Sequence, residues 1–157
     1  MSVSLKPMHP HDFVPYMQHS IREYAVEKQR AGTWLPNEAF SRAQAEFKNL
    51  LPLGLDTPNH YFLSLFDCFE QKIGIIWLHY SLATRSREAF IYDFEIFEPY
   101  RGNGLGQATL LSLFDYCRHI GLEKVSLHVF AHNTRAHHIY QKLGFVDTDI
   151  NMTKRLI

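Results

Sequence analysis

The chain has 157 residues, of which 46% are hydrophobic and 14% aromatic, and its 16 basic and 16 acidic side chains balance to a net charge of zero. This length suits one domain with a core of ordinary size, and the apolar content excludes an intrinsically disordered chain. The balanced charge gives no bulk attraction to nucleic acid or to an anionic membrane, so we expect neither as a partner. We predict one globular domain over residues 1–157.

The two cysteines and the N-terminal residues bear on the cellular compartment. Cys68 and Cys117 match neither a disulfide framework nor a metal-binding spacing, which predicts two buried thiols in a reducing cytosol. The sequence MSVSLKPMHPHDF lacks the long apolar core of a signal peptide, and no later run approaches the length of a membrane span. These features predict a cytoplasmic protein.

The N-terminal part of the chain predicts one strand followed by two helices. A short strand covers residues 3–8, and the three-to-four spacing of apolar residues over 10–33 indicates a helix that ends at Gly32. A second helix begins near Asn37, a residue type that favours the N-cap position. The sequence PLGLDTPNH, at residues 52–60, is typical of a loop because of its Pro, Gly, Asp and Asn content.

Three segments rich in aromatic and β-branched residues follow, and they predict neighbouring strands. They are YFLSLFD, KIGIIWLHYSL and AFIYDFEIF, with a polar hairpin turn, ATRSRE, between the last two. A helix that ends at Gly121, a strand KVSLHVF, a short helix from Asn133 to Gly144 and a last strand within residues 145–157 complete the chain. The order β-α-α-β-β-β-α-β-α-β predicts an α/β domain with a mixed, mostly antiparallel sheet and helices on both faces.

Three glycines at alternate positions, Gly102, Gly104 and Gly106, lie between a predicted strand and the helix after it. A glycine-rich turn at a helix N-terminus points several backbone N–H groups at one place, and the helix dipole adds positive character there. Arg101 can supply a full positive charge beside the turn. This stretch therefore predicts a phosphate or pyrophosphate site.

Three phosphate-binding motifs agree in outline with this stretch, and two of them fail in detail. A Walker P-loop ends in Gly-Lys-Ser/Thr, whereas Gly106 is followed by Gln107 and Ala108. A dinucleotide-binding fingerprint has the spacing G-x-G-x-x-G, whereas the spacing here is G-x-G-x-G, after strands that look antiparallel. The third motif is Arg-x-x-Gly-x-Gly, which residues 101–106 match.

The stretch RGNGLG and the later stretch NTRAHHIYQKLGF, residues 133–145, together resemble the two hallmarks of the GNAT acyltransferase superfamily, whose members use acyl-coenzyme A. The second stretch matches in its asparagine, in the alanine and tyrosine that follow it, and in its closing Gly-Phe. The resemblance is specific over residues 89–146, and the order of the elements extends it to the whole chain. It implies the GNAT fold and an N-acetyltransferase that uses acetyl-coenzyme A.

The resemblance also implies how coenzyme A, as a co-substrate, is held. Backbone amides of the loop would bind the pyrophosphate, and the strand before the loop would separate from its neighbour at a bulge and pair with the pantetheine arm. Asn133 would contact the pantetheine region, although a role as a helix cap also explains this residue. The implied ligand residues are Phe94, Glu95, Ile96, Arg101, Gly102, Asn103, Gly104, Leu105, Gly106, Gln107, Asn133 and Tyr140.

Tyr140 matches the superfamily's usual general acid. When an amine attacks a thioester directly, a thiolate leaves, and a phenol can protonate the departing sulfur. The resemblance thus implies Tyr140 as the acid of a direct transfer. The alternative is that Tyr140 only completes the apolar stripe of its helix.

The general base stays open among three residues. An amine is mostly protonated at neutral pH and must lose a proton before it attacks. His128 lies five residues before Asn133, where some superfamily members carry a glutamate, and a histidine can accept a proton near neutrality. Asp93 and Glu95 compete with it from the strand that enters the loop. A chain of ordered waters would serve without a dedicated base, and a structural hydrogen bond would also explain His128.

The histidines of the C-terminal third do not predict a metal site. The spacing of His128 and His132 would align them only on a helix, and this segment is predicted as a strand and a loop. His137 and His138 are adjacent and point to different faces of the short helix. We therefore expect no metal.

The acceptor is expected to be a primary amine of a small molecule, a peptide or a protein. It would lie against the first two helices, with Tyr16, Tyr24, Trp34 and Phe40 as lining candidates that equally suit a core. A non-catalytic module that binds or senses acyl-coenzyme A is the alternative from another functional class, and Tyr140 with the nearby acids favours the enzyme. The aromatic-rich surface permits a homodimer.

Overall fold

A computed structural model describes residues 2–157. The strands are β1 (Ser4–Pro7), β2 (His60–Phe66), β3 (Lys72–His79), β4 (Glu88–Ile96) and β5 (Lys124–Leu127). The helices are α1 (Pro10–Arg30), α2 (Ala39–Leu50), α3 (Leu105–His119) and α4 (Thr134–Lys142). Single 3-10 turns lie at Gly54–Asp56 and Glu98–Tyr100.

The five strands form one sheet and lie in the order in which they occur along the chain. The pairs β1–β2, β2–β3 and β3–β4 are antiparallel, whereas β4 and β5 are parallel. A parallel pair needs a crossover connection, and α3 supplies it. The mixed, mostly antiparallel sheet of a single α/β domain is therefore confirmed.

Each face of the sheet is covered by helices, as predicted. On one face Ile76 and Leu78 of β3 pack with Leu110 and Leu113 of α3, and all four side chains are fully buried. On the other face Phe62 and Trp77 pack with residues of α1 and α2 such as Tyr16 and Phe47. The alternation follows from the two-residue period of side chains along a strand.

A bulge divides β4 into two halves with different neighbours. Trp77 of β3 pairs with Asp93 but Leu78 pairs with Ile91, so Tyr92 is an extra residue in the ladder. On its other edge, β4 pairs with β5 only through residues 88–91. From Tyr92 to Ile96, β4 therefore keeps β3 on one side and has an open edge on the other, which agrees with the bulge that the resemblance implied.

The predicted last strand is wrong. Residues 145–157 form no strand, and every residue from Val146 to Ile157 is exposed. Asp147 is bonded to His137 of α4, with Oδ1 and Nε2 separated by 2.7 Å, and the chain then continues without joining the sheet. A strand requires a partner edge, and the sequence of a segment does not say whether such an edge is available to it.

Three smaller predictions also need correction. Glu38, not Asn37, is the N-cap of α2, because the carbonyl of Leu35 accepts the N–H groups of Glu38 and Ala39 and a separate turn precedes the helix. Cys117 is buried as predicted, but Cys68 is exposed, since it follows the end of β2 in a surface turn. The strand predicted over KVSLHVF ends at Leu127, where its pairing with β4 ends.

Candidate active site

The glycine loop has the backbone that the sequence predicts for an anion site. Gly102 and Gly104 have φ angles of 82° and 76°, in the left-handed region, and Gly104 is the N-cap of α3. The first hydrogen bond of the helix joins Ala108 N–H to the Gly104 carbonyl, so the helix leaves the N–H groups of residues 105–107 free. A Cβ atom on Gly102 or Gly104 would meet no atom within 4 Å. The loop therefore presents unpaired donors to open space.

Gly106 differs from the other two glycines of the loop. Its Cβ would lie 3.9 Å from Phe94 Cζ and 4.0 Å from Ile96 Cγ1, which is ordinary contact with side chains of this chain's own β4. A methyl side chain would therefore fit at this position, so the packing of α3 on β4 does not require glycine here.

Arg101 is held beside the loop by the end of β4. Its Nε donates a hydrogen bond to the carbonyl of Ile96 at 2.7 Å, and its Nη2 lies 3.6 Å from Glu95 Oε1. The side chain is still 56% exposed, so part of the guanidinium is free to contact an anion. The guanidinium of Arg101 is therefore held in place by residues at the end of β4.

The open half of β4 turns alternate peptide groups toward its free edge. Phe97 N–H donates to the carbonyl of Ile73 at 2.8 Å, so the peptide groups of Phe97 and Glu95 face β3. Those of Phe94 and Ile96 consequently face the side that β5 has left. An extended ligand could pair with them as a strand would, which is the arrangement that the resemblance implied for Phe94, Glu95 and Ile96.

Asp93 lies at the bulge and is held by α1. Its Oδ2 accepts hydrogen bonds from Tyr16 Oη at 2.6 Å and from Ser20 Oγ at 3.2 Å, whereas Oδ1 receives no side-chain hydrogen bond from the residues described. Burial raises the pKa of the Asp93 carboxyl above its ordinary value, and the bonds from Tyr16, Ser20 and the Phe94 N–H partly oppose that rise. One carboxylate oxygen is therefore fixed by two side chains of α1, whereas the other meets no side-chain donor among the described residues.

Glu95 lies two residues further along the same face and has other partners. Its carboxylate is 3.3 Å from His19 Nε2 of α1 and 3.6 Å from Arg101, and its side chain is half-buried. Burial raises the pKa of Glu95, while the charges of His19 and Arg101 lower it. With Tyr16 and His19 it lines a cavity of about 350 Å³ between α1 and the ends of β3 and β4.

Tyr140 of α4 is half-buried beside the core that α3 builds. Its ring meets Phe145 edge-on at 5.6 Å between centroids. Burial raises the pKa of the Tyr140 phenol, and the negative charge of Asp93 raises it further. The charge of Asp93 thus acts on the phenol, but no hydrogen bond joins the two side chains among the described residues.

His128 follows the end of β5 and is exposed. Its ring meets Phe130 edge-on at 4.9 Å. Partial burial lowers the pKa of His128, and the positive charge of Lys28 lowers it further, so the imidazole is neutral at pH 7. His128 can accept a proton, but it has no hydrogen bond from the residues described that would fix its ring.

Asn133 occupies the N-cap position of α4, yet its side chain does not cap the helix. Its Nδ2 lies 3.5 Å from Glu27 Oε2 of α1, and His132 Nε2 lies 2.5 Å from the same oxygen. Glu27 therefore ties α1 to the loop between β5 and α4.

Sequence reasoning missed the polar residues that α1 supplies. Ser20, His19 and Glu27 were not put forward, and Tyr16 was named only as a lining residue. A signal was present, because Tyr16, Ser20 and Glu27 are spaced by four and by seven and so share one helix face. Their partners lie 73 to 106 residues away along the chain, which no local pattern reveals.

Within residues 2–157 there is no group of three or more His, Cys, Asp or Glu side chains that could hold a metal ion. Over the same residues, no helix combines the length and the apolar character needed to cross a bilayer.

Comparison with known proteins gives a consistent result. The acetyltransferase (GNAT) family model matches residues 17–145. The uncharacterized N-acetyltransferase YycN of Bacillus subtilis (strain 168) is 42% identical over 99% of this chain and 100% of its own. The uncharacterized N-acetyltransferase YdgE of the same organism is 36% identical over 99% of this chain and 99% of its own.

Solved structures extend the similarity to the fold. The crystal structure of the putative acetyltransferase YycN from Bacillus subtilis superposes with a TM-score of 0.95 over 99% of each chain. The spermidine N-acetyltransferase from Vibrio cholerae, solved in complex with CoA and spermine, is 20% identical and superposes with a TM-score of 0.63 over 94% of this chain and 83% of its own. At that identity the second comparison shows a shared fold.

Proposed function

The chain belongs to the acetyltransferase (GNAT) family and is an N-acetyltransferase, and on that premise we propose that it moves an acetyl group from acetyl-coenzyme A directly to a primary amine of a small molecule or a peptide. The observation that carries the proposal is the line from the free N–H groups at the start of α3, along the open edge of β4, to the bulge beside Asp93. One extended donor could follow this line from its pyrophosphate to its thioester.

The donor site fits coenzyme A in its charge and in its shape. Free N–H groups at a helix N-terminus, the helix dipole and the exposed part of Arg101 suit a pyrophosphate. The carbonyl of Phe94 and the N–H of Ile96, which the contacts with Asp93 and Arg101 leave free on the open edge of β4, suit the amide groups of a pantetheine arm. The Vibrio cholerae structure, which contains CoA and spermine, supports the use of this fold for a coenzyme and an amine acceptor.

The reaction exchanges a C–S bond for a C–N bond. The neutral amine attacks the thioester carbonyl, the C–S bond breaks, and Tyr140 Oη donates its proton to the departing sulfur. Because the pKa of Tyr140 is raised above its ordinary 10.0, the phenol is protonated throughout the neutral range. The amine passes its surplus proton to a base, and solvent restores the phenol. No covalent enzyme intermediate is required, so neither cysteine has a role.

We assign the base to Asp93. Its position at the bulge and its Oδ1, which receives no side-chain hydrogen bond from the described residues, support this assignment. Glu95 engages His19 and Arg101 with its two oxygens, which suits it to holding the loop end of the site. His128 is neutral at pH 7 but has no fixed ring, so it is the second candidate.

The proposal is tested by following free thiol release from acetyl-coenzyme A over a panel of amines, with mass spectrometry of the acceptors. We expect release that depends on the amine, an acetylated product, and a raised melting temperature when acetyl-coenzyme A is present. Stabilisation without turnover on any amine would support a binding or sensing module instead. An unchanged melting temperature with excess acetyl-coenzyme A would contradict the donor site itself.

A further inference from the structure

A group of five rings, here called the aromatic cluster, lies on the sheet beside the bulge of β4. Its members are His60 of β2, Trp77 and His79 of β3, and Phe90 and Tyr92 of β4. Trp77 stacks on Tyr92 with 4.8 Å between the ring centroids, and the centroids of the other three rings lie 4.9 to 6.2 Å from that of Tyr92. The reaction proposed above gives these rings no role.

The bulge brings the aromatic cluster next to the proposed base. Successive side chains of a regular strand point to opposite faces of the sheet. Tyr92 is the extra residue of the bulge, and its contact with Trp77 places it on the face of Asp93, which pairs with Trp77 and is bonded to Tyr16 of α1. Bulges of this kind re-aim a side chain beside an active site. An amine at Asp93 would therefore have the ring of Tyr92 beside it.

The aromatic cluster is open to solvent, and its central rings are neutral at pH 7. Tyr92 is 40% exposed and Phe90 is partly exposed, whereas Phe62, further along β2, is buried. Burial and the charge of His79 lower the pKa of His60 to about 4, and burial raises the pKa of the Tyr92 phenol. The cluster thus offers a ligand uncharged ring surface.

The carboxylates that flank the aromatic cluster on β4 already have partners. Glu88, two residues before Phe90 on the same face, lies 3.3 Å from Lys124 Nζ and is hydrogen-bonded to Ser126. Asp93 is bonded to α1 and is assigned to the reacting amine. Neither carboxylate is therefore available to a second positive group on the acceptor.

Lys28 brings a positive charge to the same cleft. Its Nζ lies 5.5 Å from the ring centroid of Tyr24 and 5.4 Å from that of Trp34, and it forms no salt bridge with the residues that the structure describes. Its charge lowers the pKa of His128, so it acts across the space between α1 and the end of β5. A second ammonium on the acceptor would be repelled by this charge. A neutral ring would avoid the repulsion and would gain from packing on Tyr92.

We propose that the acceptor is an amine that carries an aromatic ring, and that this ring packs on the exposed part of Tyr92 while the amine lies at Asp93. This proposal rests on the proposed function, because it concerns the acceptor of the same site. Tyr92 is then a specificity-determining residue, which contacts the ring of the acceptor and takes no part in the proton transfers.

The proposal is tested with three amines in the thiol-release assay: phenethylamine, butylamine and diaminobutane. We expect the wild-type enzyme to have its highest kcat/KM with phenethylamine. Tyr92→Ala should lower the ratio of kcat/KM for phenethylamine to that for butylamine by about 10-fold, because the ring loses its stacking partner. Tyr92→Phe keeps the ring and should keep the ratio.

Tyr61→Ala is the matched control. Tyr61 is 36% exposed on β2 and stacks on Tyr80, which packs in the core on the α3 side of the sheet. The variant therefore removes a similarly exposed ring from the opposite face, and the ratio for phenethylamine to butylamine should equal that of wild type.

Titration calorimetry separates binding of the ring from transfer of the acetyl group. Phenethylamine is titrated into the protein saturated with coenzyme A, and we expect weaker binding in Tyr92→Ala than in wild type. Binding that depends on Tyr92, without thiol release from acetyl-coenzyme A, would support the role of the aromatic cluster and contradict the proposed transfer. Thiol release by wild type with equal kcat/KM for phenethylamine and butylamine, or with a higher value for diaminobutane, would overturn that role and leave the transfer in place.

Discussion

The two sides of the open half of β4 are built in different ways. On the side of α3, the site consists of backbone: N–H groups at the start of the helix, peptide groups of the strand edge, and two glycines in the left-handed region. On the side of α1 it consists of side chains, with Tyr16, Ser20 and His19 reaching Asp93 and Glu95. We expect the first side to bind the coenzyme and the second side to meet the acceptor.

This difference has a physical cause. A backbone site tolerates changes in most side chains and depends on a few positions where only glycine has the required φ angle. A side-chain site depends on partners that the fold brings together from distant parts of the chain. Substitutions on each side of β4, each with a matched control, test whether one side binds the coenzyme and the other side binds the amine.

The largest effect is expected from Gly104→Asp. A carboxylate at the N-cap would face the bound pyrophosphate, and like charges in close contact cost several kcal/mol, which lowers affinity by more than about 100-fold. The left-handed φ of 76° adds a strain of roughly 1–2 kcal/mol to folding. Titration calorimetry with acetyl-coenzyme A should detect no binding.

Gly32→Asp is the matched control for this change. Gly32 follows α1 with a φ of 77°, and a Cβ there also meets no atom within 4 Å, so the strain is the same and the loop is untouched. We expect both variants to lose similar stability and only Gly104→Asp to lose the coenzyme. Equal loss of binding in both would mean that the loop is not the donor site.

Tyr140→Phe should lower kcat by about 100-fold or more, because a positioned general acid contributes roughly 10²–10⁴-fold. Affinity for acetyl-coenzyme A should stay unchanged, since the ring and its packing on Phe145 remain. Tyr116→Phe, which removes the hydroxyl bonded to Tyr80 at 2.9 Å, is the control for losing a half-buried hydroxyl. If Tyr140→Phe is as active as Tyr116→Phe, Tyr140 is not the general acid and only packs in the core.

Asp93→Asn should reduce kcat/KM by roughly 10–100-fold, since it removes the base and keeps an oxygen for the Tyr16 hydroxyl. The carboxyl must be ionised to act, and burial raises its pKa above the ordinary 3.8, so wild-type kcat/KM should rise with pH through that raised pKa. In Asp93→Asn, kcat/KM should not rise with pH in this way. Glu95→Gln is the control, because it neutralises the neighbouring acid and should keep the rise of kcat/KM with pH.

The contribution of Asp93 to the free energy of unfolding should fall as pH rises, whereas its contribution to kcat/KM should increase. An acid whose pKa is higher in the folded state favours folding when protonated, so its contribution is present below the unfolded pKa of about 3.9 and is lost as pH rises through the folded value. In Asp93→Asn, the free energy of unfolding should not show this decrease with rising pH. A pH-rate profile of the variant identical to wild type would move the role of base to His128.

The sequence predicted the glycine-rich turn before α3, and the resemblance implied the bulge in β4, both of which the structure contains. That the loop binds the coenzyme and that Tyr140 is the acid stay predictions. Asp93 was named, but its partners Tyr16 and Ser20 come from α1 and could be found only once the helix had packed on the sheet. The predicted last strand failed for a related reason, since the sequence of residues 145–157 does not say which edge the segment would join.

The smallest effect is expected from Glu27→Gln, which weakens the link from α1 to His132 and Asn133 in the loop between β5 and α4. Partly exposed pairs of this kind contribute about 1 kcal/mol or less, so the loss of unfolding free energy in urea should be of that size. Glu23→Gln is the control, because it removes a charge from an exposed position one turn earlier on α1.

The same variant also tests whether α1 forms the wall of the acceptor site. If Glu27 only adds stability, KM for the amine in Glu27→Gln should equal KM in Glu23→Gln. If α1 forms the wall, KM should rise in Glu27→Gln while affinity for acetyl-coenzyme A stays constant. We expect the rise, because the link sets the position of the helix that carries Tyr16 and Ser20. A change in coenzyme affinity instead would mean that the two sides of β4 are not separate.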